Sequence, residues 1–435
     1  MTAAVEPHPI RPAARLNGRL RLPSDKSITH RALLANALAD GTAEVRLNRP
    51  GLDVWSTIGC LRGLGAQLQV LDGEPMVAQI RGGEWRTPDE PLDCGNSGTT
   101  MRLLAGALVG QPLFAILVGD ASLSQRPMER VAAPLRAMGA QVDTDDGHAP
   151  LRISGRTPLT ALEHQLPVPS AQLLGAIACA ALSANGMTVI HSPAAVRDHT
   201  ERLLAWMGAE IARDGLTTTV RGPTRLTARS LEVPGDASSA AAWLVAGALH
   251  PDAELRLEGV CLNPTRLASV DVLRAMGARI ELHEVATDGP EPVGEITVRG
   301  GGRLHAIQLG ADDVPGLIDE LPLLAVAMAA ADGTSELRGA AELRIKESDR
   351  IAAVVAGLAA IGANVEELPD GWRVRRGEPR DAAISTHGDH RVAIAFALAA
   401  ATGVAASVHL DDADCVAVSY PGFFEDLAAL TRMDR

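Results

Sequence analysis

Five times in this chain a leucine is followed, four residues on, by Gly-Ala. The five segments are Leu61-Arg-Gly-Leu-Gly-Ala66, Leu135-Arg-Ala-Met-Gly-Ala140, Leu204-Ala-Trp-Met-Gly-Ala209, Leu273-Arg-Ala-Met-Gly-Ala278 and Leu358-Ala-Ala-Ile-Gly-Ala363. A glycine there ends a helix, and the alternating apolar residues after it, as in Gln67–Val70, open a strand. A signal repeated at this spacing means that the chain is built from copies of one supersecondary unit.

Between these signals lies a second set of helices, rich in Ala and Leu. They are expected to start near Ser27, Gly98, Ala171, Ser238, Asp319 and His390, at gaps of 71, 73, 67, 81 and 71 residues. Each ends at a turn such as Asp40-Gly41 or Asp332-Gly333 and leads into a short strand-like run: Ala43–Leu47, Leu113–Val118, Thr188–His191, Glu254–Leu257, Ser335–Arg338 and Ala405–Leu410. The unit reads helix–strand–helix–strand–strand, and six copies of about 72 residues use up the chain.

The sixth copy breaks off after its second helix, Phe423–Leu430, whereas the run Ile10–Leu22 has strand character and no helix before it. We therefore expect residues 1–20 to complete the last unit. That divides the chain into a first domain, 21–233, and a second, 1–20 plus 234–435, with three units in each. The polar motifs then fall at first-helix starts that face a cleft between the domains. An unbroken α/β solenoid is the alternative, but it needs terminal capping units that the sequence lacks.

Only two of the 40 Lys+Arg residues are lysine: Lys26, in Pro23-Ser-Asp-Lys-Ser-Ile-Thr-His-Arg31, and Lys346, in Lys346-Glu-Ser-Asp-Arg350. Exposed charge can be either residue, so a bias toward Arg has removed Lys from such places. Lysine is kept where a compact ammonium or a movable proton is needed; chance survival is the bland alternative. Ser24 and Asp25 are good N-caps, which puts Lys26, Ser27 and Arg31 in the first turns, where free N–H groups and the helix dipole favour an anion. A capped surface helix with solvated charges is the competing reading.

Other motifs repeat this arrangement. Asp93-Cys-Gly-Asn-Ser-Gly-Thr-Thr-Met-Arg102 is a glycine-rich turn before a helix, with Gly98 allowing close backbone approach and Thr99 able to cap. It is not a Walker motif. Arg126 precedes Pro127 at the end of a loop and suits a planar carboxylate. Ser170 and Gln172 offer neutral hydrogen bonds to hydroxyls and phosphate. Arg197 opens a helix, unless it forms a structural pair with Asp198. Gly235-Asp-Ala-Ser-Ser-Ala240 is a helix start with no cation, read as a capping and hinge-adjacent element. Ile318-Asp-Glu-Leu-Pro322 puts two acids at a helix start, with Asp319 the better base and Glu320 structural. Lys346 and Arg350 lie four apart on one face; a surface ion-pair ladder is the ordinary explanation. His390 and Arg391 oppose the dipole of the helix that they open, so an anionic partner is expected.

Composition removes other classes. Formal net charge is −13, which argues against broad binding to nucleic acid or an anionic membrane. The five cysteines are odd in number and widely spaced, with no pattern for zinc or a disulfide framework. No signal peptide or spanning segment is read, so a reduced, soluble, cytoplasmic protein is expected.

Together these motifs resemble the 5-enolpyruvylshikimate-3-phosphate synthase family of enolpyruvyl transferases, collinearly from Pro23 to Phe424. The resemblance rests on Lys26-Ser-Ile-Thr-His-Arg31, Gly95-Asn-Ser-Gly-Thr-Thr-Met-Arg102, Arg126-Pro, Lys346-Glu-Ser-Asp-Arg350 and Asp389-His-Arg391. It implies an α/β fold of two domains, each of three βαβαββ units in an inverse α/β barrel-like arrangement, with the active site in the inter-domain cleft. It implies enolpyruvyl transfer from phosphoenolpyruvate to the 5-hydroxyl of shikimate 3-phosphate, in the shikimate pathway to chorismate and the aromatic amino acids.

The resemblance further implies that shikimate 3-phosphate contacts Lys26, Ser27, Arg31, Ser170, Gln172, Arg197, Asp319 and Lys346. Phosphoenolpyruvate would contact Lys26, Gly98, Thr99, Arg126, Arg350 and Arg391, and His390 is a further expected substrate-binding residue. Asp319 would be the base toward the 5-hydroxyl, Glu347 the donor to the methylene, and Lys346 a proton relay, with Lys26 the fourth catalytic group. No cofactor and no metal are implied, and the partners are the two small-molecule substrates of a monomer. The chain departs from other members at Ala171, where some have a second Ser, at Glu342, where others have Asn, and at Val418, where some carry Lys. Ala-Val-Ser-Tyr-Pro and Gln125–Arg130 resemble the glyphosate-tolerant class, whereas Gly98 keeps the small residue associated with sensitivity, so inhibitor response stays open.

Two alternatives remain. The sister transferase acting on UDP-N-acetylglucosamine shares the fold but usually has a reactive Cys in the loop matching Gly119–Arg126, where this chain has none. A non-enzymatic organic-phosphate sensor on the same scaffold would have no use for Lys346 and Glu347.

Overall fold

The structure, a computed structural model, describes residues 9–285 and 288–432. These form two compact units. One comprises residues 24–234 together with 288–291; the other comprises 9–23, 235–285 and 292–432.

Each repeat begins with an inner helix. We label these α1 (Lys26–Leu38), α2 (Gly98–Leu108), α3 (Ala171–Ala181), α4 (Ala237–Leu249), α5 (Leu321–Ala330) and α6 (His390–Ala401). Beyond their polar first turns they are mostly Ala, Leu and other small or apolar residues, so they are buried on nearly every side instead of along one stripe. All of α6 and all of α4 except Leu249 is buried. Small side chains let these helices approach closely. A methyl group added at Gly106 of α2 would lie 2.1 Å from the Ala176 carbonyl oxygen of α3, so this crossing requires glycine.

The helix starts are held by short polar side chains. Asp25 accepts from Ile28 N–H at 2.9 Å, Ser170 from Leu173 N–H at 3.3 Å and Asp389 from Arg391 N–H at 2.9 Å. At α2 the cap is Ser97, accepting from Thr100 N–H at 3.2 Å, and not Thr99 as the sequence suggested. The fifth repeat also differs. A short helix, Val314–Leu317, precedes it, and α5 starts only at Leu321, so Asp319 lies in a turn and not in a first helical turn. Pro322 fits that start, because proline is tolerated in the first turn of a helix.

The outer helices end as the Gly-Ala signal predicts. Gly65, Gly139, Gly208, Gly277 and Gly362 all have φ between +86° and +107°. The alanine after each of four of them donates back to the leucine of the signal: Ala66 to Leu61, Ala209 to Leu204, Ala278 to Leu273 and Ala363 to Leu358, at 2.8–3.0 Å. This is the six-to-one bond of a Schellman ending, which explains why the spacing is invariant.

The strands form one sheet per repeat. In the first, Leu231–Glu232, Thr42–Leu47, Met76–Arg81 and Gln67–Leu71 lie in that order, with the first pair parallel and the others antiparallel. Four of the other sheets share this plan. The sixth has two strands, Asp381–Ile384 and Ser407–Leu410, after which the chain turns through Asp414–Val418 into the helix Phe423–Thr431. The N-terminal strand Leu16–Arg21 pairs in parallel with Ala253–Cys261 and so completes the sheet of the fourth repeat, not the last unit as expected from the sequence. The sixth repeat is reached by the bridge of Ile10 to Val408 and by Ala13 N–H donating to the Ala401 carbonyl at 2.9 Å. Residues 1–8 of that expected segment lie outside the described residues. Four of the chain's ten aromatic residues, Trp243, Tyr420, Phe423 and Phe424, gather here. Trp243 of α4 stacks on Phe423 at 5.5 Å and donates to Tyr420 Oη at 2.8 Å, and Tyr420 donates to Asp426 at 2.7 Å.

Candidate active site

In the unit of residues 24–234 the predicted residues lie at the starts of α1, α2 and α3, except Arg126 and Arg197, which lie in loops just before outer helices. Lys26 Nζ donates to Asp53 Oδ2 at 3.0 Å, a partner from the outer helix Leu52–Gly63 that the sequence reading did not name. Arg31 is buried and works as a knot. Its guanidinium donates to the Ser27 carbonyl at 2.9 Å, to the Ala171 carbonyl at 3.1 Å and to Thr200 Oγ1 at 2.7 Å. Burial lowers the affinity of Arg31 for its proton; Glu201 and Asp25 act against this, and Arg197 adds to it. Arg197 is therefore near Arg31, two residues before the helix His199–Trp206 and not inside it. Asp198 pairs with Arg202 at 2.8 Å.

The glycine-rich turn before α2 organises two arginines. A Cβ at Gly98 would lie 2.8 Å from Arg102 Nη1 and 3.4 Å from Arg126 Nη1, so a hydrogen at this position leaves room for both. Arg126 donates to Asn96 Oδ1 at 2.6 Å and to Ser122 Oγ at 3.4 Å. Arg102 donates to Gln172 Oε1 at 2.7 Å, and Gln172 Nε2 donates to Thr99 Oγ1 at 2.8 Å, linking α2 to α3. Ser170 caps α3 with its oxygen, beside Gln172.

In the other unit, Arg350 is the centre. It is 1 % exposed and meets three carboxylates: Asp389 Oδ2 at 2.8 Å, Glu347 Oε2 at 2.6 Å and Asp319 Oδ1 at 3.8 Å. Burial works against its charge, but Asp389, Glu347 and Asp319 hold it firmly protonated. Burial likewise works to raise the Asp389 carboxyl, but Arg350 and His390 carry it below the usual range. Lys346 is half-buried. Burial pulls its ammonium below the ordinary lysine value and Arg350 adds to this, while Asp319, Glu347 and Glu342 oppose it. Glu342, the departure noted above, thus supports the charge on Lys346. Arg391 and His390 are buried at the start of α6. Arg391 lines a cavity of about 10 Å³ with Asp236, Ser238 and Ser419, next to Val418.

Among the described residues no group of three or more His, Cys, Asp or Glu could hold a metal ion, and no helix is long and apolar enough to cross a membrane.

Comparison with known proteins decides the family. The profile described as EPSP synthase (3-phosphoshikimate 1-carboxyvinyltransferase) matches residues 10–427. The chain belongs to the EPSP synthase family. Among its relatives, the 3-phosphoshikimate 1-carboxyvinyltransferase of Gloeobacter violaceus is 48% identical over 96% of this chain and 98% of that protein. That of Roseiflexus castenholzii is 49% identical over 95% and 97%. The solved EPSP synthase of Acinetobacter baumannii superposes with a TM-score of 0.85 at 36% identity, over 97% of each chain.

Within this EPSP synthase fold, one helix start carries a cation that the sequence did not reveal. Arg266, buried at the end of the turn Pro264–Arg266, donates to Asp236 at 3.1 Å and to Ser238 Oγ at 2.7 Å. Ser238 in turn donates to the buried Glu320. The start of α4 therefore has its cation, supplied from 30 residues on. These contacts bury Glu320, which is 3 % exposed, whereas the Asp319 side chain is 25 % exposed.

Proposed function

We propose that this chain transfers the enolpyruvyl group of phosphoenolpyruvate to the 5-hydroxyl of shikimate 3-phosphate and releases phosphate. The observation that carries this reading is the Lys346–Arg350 cluster. It sets a half-buried lysine with depressed proton affinity among Asp319, Glu347 and Arg350, in a chain nearly half identical to enzymes named for this reaction.

The 5-hydroxyl oxygen forms a bond to C2 of phosphoenolpyruvate while Asp319 takes its proton. A proton adds to C3, giving a tetrahedral adduct. The C2–O bond to phosphate then breaks, phosphate leaves, and loss of a C3 proton restores the double bond. Arg350 favours the ionised form of Glu347, so Glu347 needs a proton supplied to it before it can give one to C3; Lys346, the adjacent acid with the lowered affinity, is suited to supply it. Lys26, Arg126, Arg350 and Arg391 offset the charge of two anionic substrates and of the departing phosphate. Ser27, Arg31, Ser170, Gln172 and Arg197 hold shikimate 3-phosphate, while Gly98 and Thr99, with His390 nearby, receive phosphoenolpyruvate. All five cysteines are free thiols, which supports a reducing, cytoplasmic setting. Each chain carries both sets of residues, so the reading requires no second copy.

Phosphate release from phosphoenolpyruvate, measured with shikimate 3-phosphate and separately with UDP-N-acetylglucosamine, tests it. Release with the first alone is expected. Release only with the second would assign the sister reaction, and binding without release in either case would leave a sensor.

A further inference from the structure

His30 is used by none of the steps above, yet it is 1 % exposed and anchors a line of buried hydrogen bonds. His30 Nδ1 lies 2.7 Å from Thr57 Oγ1, Thr57 Oγ1 lies 2.7 Å from Thr100 Oγ1, and Thr100 Oγ1 donates to Ser97 Oγ at 2.7 Å. The line crosses from α1, through the outer helix Leu52–Gly63, to the cap of α2.

The direction of its protons follows from one end. Ser97 Oγ accepts from both Thr100 N–H and the Thr100 hydroxyl. Thr100 Oγ1 has then spent its proton, so the Thr57 hydroxyl must donate to it. Thr57 has then spent its own, so His30 Nδ1 must carry a proton and donate. His30 Nε2 is left as a bare acceptor. It is buried without a hydrogen-bond partner, and the ring borders a cavity of about 10 Å³ lined also by Leu34, Thr99, Leu103 and Leu104. A second N–H there would be buried with no acceptor. Burial accordingly lowers the imidazole to about 3, with Lys26 and Arg31 adding to the effect and Asp53 opposing it.

The outer helix holds both ends of this arrangement. Asp53 takes Lys26 and Thr57 takes Thr100, four residues apart on one face.

We propose that His30, acting through Thr57 and Thr100, is a positioning residue that sets the start of α2, with Gly98 and Thr99, against the start of α1, with Lys26. The consequence for phosphoenolpyruvate rests on the function proposed above. With the line intact, the Gly98–Thr99 N–H groups are already arranged for that ligand. Cutting it leaves the charges in place but loosens their spacing, and the loss appears in binding before turnover.

The test has two arms on the full-length protein. In the first, nitrogen NMR of imidazole-labelled wild type should show His30 protonated at Nδ1, bare at Nε2, and not titrating through the ordinary histidine range. An Nε2–H tautomer, or titration near 6.5, would overturn the proposal. In the second, Thr57→Val, which removes the bonds to both His30 and Thr100, should raise KM for phosphoenolpyruvate about three- to tenfold, with kcat and KM for shikimate 3-phosphate little changed. Thr57→Ser should restore it. An unchanged KM for phosphoenolpyruvate in a folded Thr57→Val protein, or a Thr57→Ser protein as impaired as the valine variant, would also overturn the proposal. Failure of the function reading looks different: wild type would release no phosphate while the NMR result stood.

Discussion

Arg350 Nε and Asp389 Oδ2 meet at 2.8 Å with both residues almost wholly out of water, at 1 % and 0 % exposed. Asp389 also caps α6 through the Arg391 N–H and accepts from Ser348 Oγ at 3.1 Å. One carboxylate thus fixes two of the cations assigned to phosphoenolpyruvate, although it makes no proposed substrate contact itself.

Removing that carboxylate should therefore cost stability and not only activity. Asp389→Ala leaves a buried guanidinium short of its main partner and α6 without its cap. We expect a loss of about 3–5 kcal/mol, as when one member of a buried ion pair is deleted. Urea unfolding measures it, and a cost below the ordinary surface range of about 0.5 kcal/mol would show that Glu347 and Asp319 suffice to hold Arg350.

The repeat, its helix endings and most of the helix starts are legible in the sequence because each depends on neighbours a few residues apart. Leu61 and Ala66, or Ser170 and Leu173, carry their own geometry. Arg266 with Asp236, Lys26 with Asp53 and Arg350 with Asp389 are different. They are joined only by folding, over 30, 27 and 39 residues, and one sequence does not say which carboxylate meets which cation. Pro322 marks the displaced start of α5, but the acids Asp319 and Glu320 just before it look like a helix start of their own in the sequence.

Acid stability should show the buried His30. The unfolded chain binds a proton at this imidazole below about 6.5, whereas the folded protein does so only near 3. Between those values the unfolded state holds more protons, so stability falls as pH falls, by at most about 5 kcal/mol over the window. Above about 6.5 the term is constant. His30→Asn should flatten this part of the curve in denaturant unfolding at stepped pH; an unchanged slope would assign the loss to other groups.

Arg126 is prearranged by Asn96 and Ser122, and Gly98 leaves it room. As a carboxylate clamp, its loss should be selective. Arg126→Ala is expected to weaken phosphoenolpyruvate about ten- to a hundredfold, the range for hydrogen bonds to a charged group, and shikimate 3-phosphate far less. Separate titrations of the two ligands would distinguish this from a general disturbance, in which both would weaken alike.

Lys346 gives the most demanding prediction, because nearly every other cation in this chain is arginine. Burial and Arg350 both press its ammonium to release a proton, and Asp319, Glu347 and Glu342 limit that release. Such a group gives up its proton more readily than an exposed lysine does; a guanidinium in its place would stay charged and would also be larger. If Lys346 supplied charge alone, Lys346→Arg would be tolerated. If it moves protons toward Glu347, the variant should lose at least about 100-fold in kcat, roughly 2.7 kcal/mol of barrier. Glu347 and Arg350 lie beside the change, so the melting temperature must be followed with the rate. Loss of turnover at an unchanged melting temperature separates proton transfer from disturbed packing. A stable Lys346→Arg protein with near-native turnover would show that the lysine is there as a cation and that the C3 proton travels another way.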